Sequence, residues 1–328
     1  MRVGIDSFTI RELNLNPYEI IDYVTDNGFE GFQFDLIGQM SETLDHGELK
    51  KIKKYGDDKG IYTHVTITSV NPVLFEGGID ALELRLEKEI EAAAEAGWHE
   101  LRCVINKESE RYTHRVPWSV HIDGAIQLIN RLRSVLERYG SRINLETHLE
   151  STYELLHVIS CTGSHLTGIC LDTANTLAAA EDPVLAAKRV APYTHLTHAK
   201  DAIVCFSKEG KGIVRQGKPV GQGNVDFETI LPILGEYSPD LPLSIEDHKW
   251  LWTADIFDED WMKRNPDITP YELGQFVKIA WNTQERLWAG EIPPIDEYEA
   301  TPFADEMEDR LFASRDYLFA LLDKLNLH

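Results

Sequence analysis

The sequence predicts an α/β protein: a closed (β/α)8 TIM barrel with a C-terminal helical extension. Three observations carry that expectation. Short β-branched runs alternate with longer amphipathic ones eight times along the chain. The short runs tend to follow a Gly, Pro or polar break, as buried parallel strands do. The first one leads into Gly4-Ile-Asp-Ser-Phe, which is not the G-x-G-x-x-G turn of an open dinucleotide-binding sheet, so eight strand–helix pairs favour closure.

The expected strands are Val3–Ile5, Gly31–Leu36, Thr63–Thr68, Glu100–Ile105, Ile143–His148, Gly168–Asp172, Thr194–His198 and Leu243–His248. Between them the spacing predicts helices. Pro17–Asn27 opens with Asn16 as N-cap and Pro17 at the first helical position, and Gly28 follows its end. Ile79–Ala96 stops at Gly97 and Val120–Tyr139 at Gly140. Tyr153–Ser160, Pro183–Val190 and Phe227–Leu234 follow, then two long helices, Pro270–Ala289 and Asp305–Leu325.

No low-complexity linker divides the chain, so residues 1–328 are expected to form one domain, and a hydrophobic fraction of 43% is ample for its core. The segment 250–269 is too long for an ordinary loop and leaves the last strand, so it is expected over the active-site face. The terminal helix, around 303–326, either covers the barrel or pairs with another subunit.

A formal charge of −23 repels phosphate backbones and anionic lipid, which argues against nucleic-acid and membrane partners. Cys103, Cys161, Cys170 and Cys205 are scattered, fitting neither a structural zinc site nor a disulfide scaffold. The N-terminal residues show no secretory leader, and no apolar run reaches the ~18 residues of a membrane span. A cytoplasmic location is the expectation.

In a barrel, chemistry sits where strands end. Strand five ends in Glu146-Thr-His148, strand six in Asp172-Thr-Ala-Asn175, strand seven in His198-Ala-Lys200-Asp201, and strand eight in Glu246-Asp-His248. Singly, each carboxylate reads as a solvated residue or a helix cap. Together they would converge on one axis, and buried like charges are tolerated only when a cation neutralises them. Oxygen and nitrogen ligands suit manganese, magnesium, cobalt or zinc.

These residues resemble those of the xylose isomerase-like barrels, which include ketose 3-epimerases, inosose isomerase and endonuclease IV. The resemblance covers nearly the whole chain in layout and is densest from Glu146 to His248. It implies that Glu146, Asp172, His198 and Glu246 bind one divalent metal, Mn2+ first among the candidates. It also implies that Glu146 and Glu246 act as acid and base on opposite faces of a substrate. Arg215, followed by Gly221-Gln-Gly223-Asn-Val-Asp226, resembles the family's loop after strand seven. Ketose epimerases usually carry a histidine three residues after the strand-six Asp; this chain has Asn175.

Residues two apart on a strand share a face, which puts His148 beside Glu146 and His248 beside Glu246, either as rim residues or as proton carriers. Lys200 shares the face of His198, to bind a substrate oxygen or to pair with Asp201. His64, Asn175, Arg215 and Trp250 are the other expected substrate contacts. Arg102 on strand four is read as ambiguous.

The function expected is a metal-dependent sugar epimerase or isomerase working by proton abstraction beside a carbonyl through a metal-stabilised enediolate. The alternative implied by the same resemblance is a C-glycoside deglycosidase, a lyase acting on 3-oxo-C-glycosides with a small β-rich partner subunit. An endonuclease IV-like nuclease and a non-catalytic sugar-binding barrel rank below them. A sugar or keto-sugar ligand and a homo-oligomer are the expected partners.

Overall fold

A computed structural model describes residues 1–106 and 110–328. Its strands are β1 (Arg2–Asp6), β2 (Gly31–Leu36), β3 (Tyr62–Thr66), β4 (Glu100–Cys103), β5 (Arg142–Glu146), β6 (Thr167–Asp172), β7 (Thr194–Ala199), β8 (Asp201–Phe206), β9 (Ile213–Lys218), β10 (Pro242–Ile245) and β11 (Leu251–Ala254). All but β8, β9 and β11 close a parallel barrel, in the order β1-β10-β7-β6-β5-β4-β3-β2. The chain is therefore a (β/α)8 barrel, as its alternating pattern predicts.

Closure is made by β1, which pairs with β2 on one side and with β10 on the other, in register from Arg2 opposite Pro242 to Ile5 opposite Ile245. The interior is packed. Tyr62 reaches across the barrel so that its hydroxyl lies 3.1 Å from Ser244 Oγ. Gly31 makes room for it, since a Cβ there would sit 2.1 Å from the Tyr62 ring. The first helix has the expected start: the Asn16 side chain accepts from Glu19 N while Glu19 returns a bond to Asn16 N, a reciprocal cap.

Several elements differ from the sequence reading. A helix at His46–Asp58 was not anticipated, because only Leu49, Ile52 and Gly56 of its lysine-rich stretch are buried. The expected helix 120–139 is two, Trp118–Arg131 and Arg133–Tyr139. The segment after β7, read as a loop, is the antiparallel hairpin β8–β9, and β11 joins it to make a three-stranded sheet. The apolar run Ala202–Phe206 is that first hairpin strand, hidden in the sequence by its adjacency to β7.

The terminal helix Phe303–Leu325 packs against β1 and β10, so it fills the eighth helical position of the ring. Helix Pro270–Trp288 instead lies on β8 of the small sheet. The excursion between the eighth strand and the eighth helix is thus longer than the expected 250–269. No helix among the described residues is long and apolar enough to cross a membrane.

Candidate active site

Strands β5, β6, β7 and β10 deliver Glu146, Asp172, His198 and Glu246 to the same level at the C-terminal mouth of the barrel. One ligand atom from each lies within 4.8 Å of all the others. All four residues are buried. His198 Nδ1 is 2.5 Å from Glu246 Oε2, 3.4 Å from Glu146 Oε1 and 4.0 Å from Asp172 Oδ2, yet has no hydrogen-bond partner. A buried ring nitrogen without a partner, facing three carboxylates, is the donor set of a divalent cation. These residues could hold a metal ion, and the mixed oxygen and nitrogen set leaves its identity open.

Partners on every side orient the cluster. The far ring nitrogen of His198 lies against the Gln33 carboxamide at 2.5 Å and is 3.5 Å from Asp6 Oδ2. Asp6 also accepts from Gln33 Nε2 (3.2 Å) and from Phe8 N (2.9 Å). Asp172 Oδ1 accepts from Ala174 N and Asn175 N, which fixes its direction. Arg102 clamps Glu146 by donating from Nε (2.7 Å) and Nη2 to Oε2. Lys200 Nζ donates to Glu246 Oε1 (2.6 Å) and Asp172 Oδ2 (3.2 Å).

These contacts set the ionisation. Burial alone would raise the Glu146 carboxyl, but Arg102 and His198 hold it well below the usual range. Lys200 and His198 do the same for Glu246 against a similar burial effect. Burial prevails at Asp6, pushed up to about 6, and at Asp172, also about 6 despite Lys200. His148 and His248 are both pushed down, chiefly by burial, so their rings are neutral at pH 7.

Glu146 and Glu246 of the cluster line a cavity of about 570 Å3, enough for a monosaccharide. Of the residues singled out in the sequence, Glu146, Glu246, His148, His248, Lys200, Arg215, Asn175 and Trp250 all line it. Asn175 sits centrally: Nδ2 donates to Glu146 Oε1 (3.5 Å), and Oδ1 accepts from Arg215 Nη1 (3.1 Å). The His248 ring packs edge-on between Phe8 and Trp250.

His64 does not line this cavity. Its ring packs 5.4 Å from that of Tyr62, deeper in the barrel. Lys200 does not pair with Asp201. That carboxylate instead accepts from the backbone N–H groups of Ala202, Gly221, Gly223 and Val225. The glycine run is therefore wrapped around Asp201, and a Cβ at Gly223 would sit 2.1 Å from its oxygen.

Sequence reasoning passed over Asp6 and Gln33. A signal for Asp6 existed: Val3-Gly-Ile-Asp6 also ends in a carboxylate at the barrel mouth.

The chain is thus a closed parallel barrel with a buried three-carboxylate, one-imidazole cluster at its C-terminal mouth. The sequence profile of the xylose isomerase-like TIM barrel family matches residues 21–265, and the chain belongs to that family. A curated relative, the uncharacterized protein YihM of Escherichia coli (strain K12), is 22% identical over 223 residues, covering 66% of this chain and 61% of YihM. The chain thus matches less than two thirds of that relative's length.

D-psicose 3-epimerase from Clostridium cellulolyticum H10, solved with D-tagatose, superposes with a TM-score of 0.62 at 14% identity, covering 83% of this chain and 99% of the epimerase. The 3-keto-D-glucoside 4-epimerase YcjR from Escherichia coli gives 0.55 at 16% identity, covering 85% and 99%. At such identities the likeness is one of fold, shared with enzymes named for sugar epimerisation.

Proposed function

We propose that this chain is a divalent-metal-dependent epimerase or isomerase that moves a proton on the carbon beside a sugar-like carbonyl. The observation that carries the reading is the convergence of four ligand atoms within 4.8 Å, with Glu146 and Glu246 lining a monosaccharide-sized cavity. Glu146, Asp172, His198 and Glu246 would hold the ion, and manganese is the first choice on the family resemblance, the donor set itself suiting several divalent ions. When bound, it would polarise the carbonyl and offset the negative charge left when the neighbouring proton departs.

The chain's own residues supply the proton chemistry. Glu146 and Glu246 stand on strands separated by β6 and β7, and act as acid and base on opposite faces of the substrate. His148 and His248 are uncharged and line the cavity with the glutamates, and His248 Nε2, 3.8 Å from Glu246 Oε1, can exchange a proton with that carboxylate. Lys200 and Asn175 bind substrate oxygens beside the ion.

The test is proton exchange followed by NMR in deuterated water, with manganese-loaded protein and ketohexoses, inososes or 3-oxo-glycosides. Exchange beside the carbonyl is expected, with E146Q and E246Q each losing on the order of 100-fold or more. No exchange from any of these compounds, with metal confirmed bound, would overturn the reading.

A second reading is elimination of an aglycone from a 3-oxo-C-glycoside, assisted by a small β-rich partner subunit. It is favoured by Trp250 and Trp252, which line the cavity where an aromatic aglycone would stack. Release of free aglycone, rather than an epimer, would single it out.

A further inference from the structure

Among the described residues, Arg215 is the lining cation of the cavity that forms no ion pair. Arg102 is committed to Glu146, and Lys200 to Asp172 and Glu246. Arg215 is only 5% exposed and lines the same cavity, yet forms no ion pair among the described residues. Its Nη1 donates to neutral acceptors, Asn175 Oδ1 at 3.1 Å and Ala174 O at 3.5 Å, while Nε has no partner.

Its position is fixed. Arg215 lies on β9, opposite Val204 on one side and Trp252 on the other. Asn175, which receives it, follows the Asp172 turn on the cavity wall. Burial disfavours the charged guanidinium, the Asp172 and Glu246 carboxylates offset this only in part, and neither makes an ion pair with it. Such a group is stable in a working site when a ligand brings the anion.

The charge balance gives the size of that anion. The carboxylates of Asp6, Glu146, Asp172 and Glu246 are offset by Arg102, Lys200 and a divalent ion, and Asp35 at the rim is solvent-exposed. Among the described residues Arg215 is then left as a single positive charge. One guanidinium charge on the cavity wall matches a single carboxylate, whereas a phosphate dianion calls for a second cation.

We propose that the substrate is a keto-sugar acid, a monosaccharide bearing both an enolisable carbonyl and a carboxylate that seats on Arg215. This rests on the enolisation reading above and narrows its substrate class. Arg215 is then the specificity-determining residue, and Asn175 positions it.

The experiment is calorimetric titration of the manganese-loaded protein with matched pairs differing in the acid alone: D-fructuronate against D-fructose, and D-tagaturonate against D-tagatose. D-ribulose 5-phosphate is the phosphate probe. The uronates are expected to bind on the order of 10–100-fold more tightly than their ketoses. R215M should erase that difference, and R215K, which keeps the charge without the fork, should retain part of it.

Equal binding within each pair, a uronate preference surviving in R215M, or tighter binding of the phosphorylated sugar would overturn the proposal. If R215M does not fold, an unchanged preference in R215K does so alone. Deuterium exchange on the same compounds separates the two readings. Exchange on D-fructose without a uronate preference leaves enolisation standing and removes this proposal. Arg215-dependent uronate binding without exchange does the reverse.

Discussion

The two halves of the barrel contribute differently to the same site. Strands β5, β6, β7 and β10 end in the four ligand-type residues, each reaching the centre directly. Strands β1, β2 and β4 supply Asp6 and Gln33, which touch His198, and Arg102, which holds Glu146 of the neighbouring strand β5. One half presents donors, and the other fixes their direction and charge. A cluster of this kind needs both, because three buried carboxylates without fixed partners would repel or take up protons.

The sharpest way to break the comparison is to remove Arg102. R102L leaves Glu146 buried without its guanidinium, and loss of one member of such a pair costs about 3–5 kcal/mol. Denaturant unfolding in chelator should show a loss of that order, and saturating manganese should recover part of it. No loss in chelator would mean that the ligand half sustains itself.

A smaller effect is expected from D6N and Q33L, which leave all four ligand residues in place but loosen His198. Metal affinity should fall roughly 10–100-fold while the unfolding midpoint of the metal-free protein hardly moves. Competition with a fluorescent chelator measures it. An unchanged affinity would show that the orienting half is dispensable for binding.

The smallest effect belongs to His64, below the site on β3. Burial pushes its imidazole down to about 4, whereas the unfolded chain protonates near the ordinary value of 6.5. The unfolded state therefore binds the proton first as pH falls. His64's contribution is fully present above about 6.5 and is lost progressively between 6.5 and 4. From pH 7 to 5.5 this amounts to about 1 kcal/mol. H64Q should flatten that part of the stability–pH curve, read from unfolding midpoints, and an unchanged slope would count against it.

This asymmetry also explains what the sequence disclosed. Glu146, Asp172 and Glu246 each close an apolar strand, so period and position alone bring them to the mouth. Gln33 and Arg102 sit inside their strands, and their roles depend on which residues of other strands they meet. No spacing rule carries that relation. Arg215 was legible as a substrate contact but not as a strand residue, because β9 is aimed by pairing both with β8 and with the distant β11. The charge-rich helix His46–Asp58 shows the opposite weakness, since it buries too few apolar residues to announce its period.

The closing of the ring has a temporal side. β1 is made first, but its second neighbour is β10, and Thr9 Oγ1 bonds to Ile245 O across 236 residues. Helix Phe303–Leu325, which covers that junction, is made later still. At ribosomal rates of about 5–20 residues per second, β1 waits roughly tens of seconds with one side unpaired. Throughout that interval the apolar Val3 and Ile5 lie on an open sheet edge, the stretch of the nascent chain most in need of a chaperone's cover.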